Sequence, residues 1–249
     1  MKIIFKKATI EDTFEIIKEF YYQEELEVHP TKNYLFDYYY ELKDIDKNLP
    51  KEEKDKIIFD IVKKRYEKIS DLMDKQVIHF NELWSKYNDA FIDELSKYLN
   101  TSWHSFKDEI IGYVSPVPVF PRYPENLTFY FHPNIDDNKL IEVAAHESTH
   151  FLWFKKISEI NNKKYNDYSH DEWEFSELVV DPILNSKEMY SVLHINEKAY
   201  DYFYEQELNG EKIMDHIKKI FLSEKDIDEK IKESYAYYKS FLQNKKRTK

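Results

Sequence analysis

The sequence contains no cysteine, which excludes a disulfide framework and every thiolate metal site and leaves His, Asp and Glu as the available metal ligands. Glycine is nearly absent, with only Gly112 and Gly210 in 249 residues, so glycine-rich phosphate loops and dinucleotide fingerprints are missing. Basic residues are outnumbered: 37 Lys and Arg face 48 Asp and Glu, a formal charge of -11. Phosphate binding is driven by Lys and Arg releasing counterions, so nucleic acid and anionic membrane surfaces are disfavoured as partners. Long hydrophobic runs are lacking too. The segment Met1 to Lys7 falls short of the roughly 7–15 apolar residues of a signal peptide. No later run approaches the roughly 18 apolar residues of a membrane helix, and the expectation is a cytoplasmic protein.

What is present reads as α+β, mainly helical, in a single domain. A helical N-terminal portion covers about residues 1–105, a second portion about 106–243, and a basic tail 244–249, expected to fray. From about Thr9 to Asn100 charged residues interleave with Phe, Tyr, Ile and Leu without a glycine, punctuated by Pro30 and Pro50. Between Ile57 and Leu99 apolar residues recur at spacings of three and four, as in one amphipathic helix or a broken pair. Tyr66, Trp84 and Tyr98 read as packing residues. Between Ile110 and Phe131, Pro116, Pro118, Pro121 and Pro124 break any helix while Val, Phe, Tyr and Thr favour a small sheet. Leu127 to Phe131 is the best strand, and Pro133, Asn134, Asp136 and Asp137 turn the chain into the next helix. A polar loop around Asn161 to Ser169 and further helix from Asp171 follow.

That next helix carries His146-Glu147-Ser148-Thr149-His150. Residues four apart on a helix sit about 40° apart around the axis, so His146 and His150 can meet one zinc ion. Glu147 lies beside that face, where its carboxylate can act on a water activated by the metal. Apolar residues flank the motif on both sides, from Leu140 to Ala145 and from Phe151 to Phe154, so the helix belongs inside the protein. There two histidines and a glutamate need a metal or a hydrogen-bond network. Downstream, Glu177 and Asp181 are again four apart. Glu177 can complete a His, His, Glu set, and Asp181 can accept the second ring N–H of a ligand histidine. Glu174, one turn earlier, is the rival third ligand.

Over roughly Leu127 to Asn185 the chain resembles the gluzincin group of zinc metallopeptidases, the thermolysin-like superfamily, which pairs HExxH on one helix with a Glu on a later one. The resemblance implies one zinc per chain held by His146, His150 and Glu177, with Glu147 as catalytic base and Asp181 as partner of His146. It also implies that Leu127 to Phe131 is an edge strand beside the cleft, where an extended peptide adds as a further strand. The metzincin pattern fails, because its Gly would fall at Trp153 and its third His at Lys156. Phe175-Ser176 stands where gluzincins commonly carry an Asn before the ligand. The family's transition-state stabiliser has no matching motif, which leaves Tyr190, His194 and His170 as candidates. The function so implied is zinc-dependent hydrolysis of a peptide or small protein. The alternative is a non-catalytic zinc-binding helical interaction protein, although a structural zinc has no need of Glu147 and normally closes its fourth position. A zinc-dependent hydrolase of non-peptide amides is a third class.

Overall fold

The computed structural model describes residues 1–23, 31–106 and 109–248. In chain order its elements are β1 (Lys2–Lys7), α1 (Ile10–Tyr22), α2 (Thr31–Tyr38), α3 (Lys51–Trp84), α4 (Asn88–Tyr98), β2 (Glu109–Val114), β3 (Arg122–Tyr123), β4 (Thr128–Phe131), α5 (Asp137–Asn161), α6 (His170–Leu184), α7 (Lys187–Leu193), α8 (Asp201–Glu205), β5 (Glu207–Leu208), β6 (Glu211–Lys212), α9 (Ile213–Phe221) and α10 (Ile227–Thr248). With 65% helix and 9% strand this is the expected α+β, mainly helical class. Among the described residues no helix is long and apolar enough to cross a membrane. Pro30 and Lys249 lie outside the described residues. The tail up to Thr248, expected to fray, continues α10 as helix.

By internal contacts the chain divides into two units, one formed by Ile3–Lys86 with Glu109–Leu140 and the other by Met1–Lys2, Tyr87–Asp108 and Ile141–Lys249. The first contains a mixed sheet of order β1-β2-β4-β3. Here the structure corrects the edge-strand expectation: β4 is interior, parallel to β2 on one side and antiparallel to β3 on the other. The reason is local. Pro121 and Pro124 leave just Arg122 and Tyr123 free to pair, yet these two lie opposite Phe129 and Thr128, and the Pro121 carbonyl accepts the Tyr130 N–H at 2.9 Å.

Strand β1 was not foreseen, although its sequence alternates, with Ile3 and Phe5 buried. Asn81 of α3 holds it by accepting the Phe5 N–H at 3.0 Å and donating to the Phe5 carbonyl at 2.9 Å. Phe5 meets Phe80, Phe129 and Phe131 edge-on in this core. A Cβ at Gly112 would stand 2.7 Å from Phe5 and 2.8 Å from Phe129, so the close approach of these rings requires glycine. The apolar repeat from Ile57 to Leu99 resolves as the broken pair α3 and α4, interrupted at Ser85–Tyr87. Trp84 is buried, and the Tyr66 hydroxyl is tied to the Ala8 carbonyl at 2.7 Å.

In the other unit, α9 packs on α6, α8 and α10, and α4 packs on α7. Helix α5 begins within the first unit, after Asp136, whose carbonyl accepts the Leu140 N–H at 2.9 Å and whose Oδ1 accepts the Lys139 N–H at 2.8 Å. The helix is closed by Asn162 at φ 51°. Ser169 and Glu172 form a capping box that starts α6. From Phe175 to Leu184 every residue of α6 is buried, which brings any polar side chain there into the protein interior.

Candidate metal centre

The apolar sequence around the motif does what its pattern implies. Ala144, Ala145, Phe151, Leu152, Trp153 and Phe154 are buried, and so are Glu147 at 4% exposure and His150 at 0%. The i,i+4 spacing brings the two imidazoles onto one face, with Nε2 of His146 and Nε2 of His150 3.0 Å apart. From α6, Glu177 points its carboxylate at both: Oε2 is 3.5 Å from His146 Nε2 and Oε1 is 3.6 Å from His150 Nε2. Among the described residues these three form the one group of donors that could hold a metal ion. Glu174, the rival ligand, accepts the Tyr202 hydroxyl at 3.0 Å instead. The turn between Glu174 and Glu177 decides the matter, since it rotates the two carboxylates about 60° apart around the helix.

The donor set could hold a metal ion, and its spacing is compatible with zinc. A tetrahedral ion with ligands at about 2.0–2.1 Å sets its donor atoms about 3.3 Å apart, and the separations of 3.0, 3.5 and 3.6 Å bracket that value. Two imidazoles and one carboxylate make a borderline ligand set with which zinc is compatible.

The partner of His146 differs from the expectation. Its Nδ1 lies 3.1 Å from Oε1 of Glu197, in the irregular stretch between α7 and α8. Asp181 is not at the ring. Its Oδ2 accepts the Tyr204 hydroxyl and pairs with Lys218 Nζ at 2.9 Å, and its Oδ1 accepts Asn185 Nδ2 at 2.8 Å. Asp181 sits one turn beyond Glu177 on α6, and there it meets a cation supplied by α9. Sequence reasoning missed Glu197 because it stands 51 residues from His146 and outside any helix, so no spacing marks it.

The electrostatics follow from these carboxylates. Burial disfavours an imidazolium at His146, but the charge of Glu197, hydrogen bonds to Glu177 and Glu197, and the charge of Glu147 outweigh it and push the pKa up to about 10. A site with this much negative charge stabilises a cation, whether a proton or a metal ion. The Tyr202 phenol is raised by burial, then by Glu174 and by the charge of Glu177.

The remaining candidates lie elsewhere in the unit. His170 is exposed and stacks on Trp173, while Tyr190 and His194 are exposed and pack edge-to-face on one another. Compared with protein-family models, curated proteins and solved structures, the chain matches none.

Proposed function

We propose that the protein is a zinc-dependent peptide hydrolase. The observation that carries this reading is the convergence of His146, His150 and Glu177 with a buried Glu147 beside the first of them in sequence. Three protein donors leave room for a reacting molecule, whereas a structural zinc takes four. Peptide as substrate class comes from the likeness to the gluzincin motif. The interior position of β4 lends it no strand-docking support, and the outermost strands of the sheet are β1 and β3.

Bound zinc supplies a Lewis acid that polarises a carbonyl and acidifies a water. His146 and His150 present Nε2, and Glu177 adds the anionic donor. Glu197 takes the Nδ1–H of His146, which fixes the tautomer that leaves Nε2 free to coordinate. Glu147, held in the interior next to His146, takes a proton from the attacking water and returns it to the leaving nitrogen.

The test is zinc content per chain in the wild type and His150→Ala, followed by a peptide-library assay with Glu147→Gln as control. One zinc, lost in His150→Ala, together with turnover that disappears in Glu147→Gln, supports the reading. Zinc without peptide turnover would transfer the protein to the interaction class or to another amide substrate, and absence of zinc would remove the reading.

A further inference from the structure

We infer that Asn185 is a positioning residue of this centre, acting through Glu197; the inference rests on the metal-site reading above. The carboxylate that meets His146 belongs to a stretch without helix or strand, residues 194–200. Something other than a regular backbone ladder must therefore set where Glu197 stands. Asn185, the residue that ends α6, does this with both backbone groups at once. Its Oδ1 accepts the Glu197 N–H at 3.0 Å, and its Nδ2 donates to the Glu197 carbonyl at 2.7 Å. The side-chain amide thus replaces one rung of a β-ladder and closes the segment that contains α7 and the left-handed turn at His194, φ 53°.

The amide can take one orientation only. Nδ2 also donates to Asp181 Oδ1 at 2.8 Å. A flipped amide would set its oxygen against that carboxylate and the Glu197 carbonyl, and its NH2 against the Glu197 N–H. Asp181, 1% exposed, is in turn fixed by Tyr204 and by Lys218. The Tyr204 hydroxyl also accepts the Ala199 N–H at 3.2 Å. Residues 197 and 199 are therefore both tied to the Asp181 system. This gives Asp181 a part in the centre two links behind His146, through Asn185 and Glu197.

A double-mutant cycle on the full chain tests this. Zinc affinity is read by competition with a chromophoric chelator in the wild type, Asn185→Ala, Glu197→Gln and the double variant. The imidazole N–H signal of His146 is followed by NMR in the same proteins without metal. Each single substitution is expected to weaken zinc about 10–100-fold, as losses behind a ligand do. The double variant should be no weaker than Glu197→Gln alone, and the Nδ1–H signal of His146 should be lost or shifted in Asn185→Ala. Multiplying losses, or an unchanged His146 signal, would overturn the inference and leave Asn185 as a loop closure only. Should the wild type bind no zinc, the metal reading fails separately, and the His146 signal in metal-free Asn185→Ala still decides the positioning role. If Asn185→Ala does not fold, Asn185→Ser, which keeps a small polar group, carries the same measurements.

Discussion

His132 and His146 are both largely withdrawn from solvent, one in each unit of the chain, and their surroundings drive them in opposite directions. At His132, Nδ1 accepts the Asn134 N–H at 3.1 Å and Nε2 meets the Tyr38 hydroxyl at 2.8 Å. Its partners are neutral, and burial pushes its pKa down to about 4. At His146 the same burial is opposed by Glu197, Glu177 and Glu147, and the pKa is pushed up to about 10. Burial alone therefore does not mark a functional histidine. What separates the two surroundings is the surplus of carboxylate at His146, which favours a cation there, whether a proton or a metal ion.

The comparison can be broken most severely by removing a ligand. Glu177→Ala should abolish zinc binding while Glu174→Ala retains it, as zinc per chain will show; the reverse would exchange the two carboxylates. Next in size, Glu147→Gln should keep its zinc and lower peptide turnover about 10²–10⁴-fold, the usual contribution of a positioned base. Glu197→Gln should weaken zinc about 10–100-fold, and Asp181→Asn should weaken it less, because Asp181 stands behind Asn185. An equal or larger loss in Asp181→Asn would restore Asp181 to the ring. The smallest effect lies at His132. Its folded pKa, about 4, is below the unfolded value of 6.5. The stability given by the neutral ring is thus complete above pH 6.5 and lost as pH falls through about 4. His132→Leu should flatten that part of the denaturation profile, by on the order of 1 kcal/mol for a partly exposed group, and leave zinc content unchanged.

The parts of the site legible in the sequence are those set by helix periodicity. His146 and His150 follow from i and i+4 on α5, and Glu177 follows from a second buried helix. Asp181 shares that spacing with Glu177, yet periodicity states only that two residues share a face and says nothing of what faces them. Lys218 of α9, 37 residues on, claimed Asp181, and Glu197 came to His146 from irregular chain. The fold divides in the same way. Long amphipathic helices and the strand at Leu127 to Phe131 were readable, whereas the two-residue β3, hidden between prolines, was not, and with it the interior place of β4. One device recurs in both units: Asn81 grips the backbone of Phe5 as Asn185 grips that of Glu197. In the first case it secures a core strand and in the second a carboxylate of the centre. A lone Asn carries no sequence signal that separates the two.

The most direct test of the central claim, that His146, His150 and Glu177 hold one zinc ion, is X-ray absorption at the zinc edge on protein incubated with the ion. The structure leads us to expect a shell of about four light atoms near 2.0 Å, including two imidazoles and no sulfur. A shell without imidazole, or protein that takes up no zinc, would contradict it.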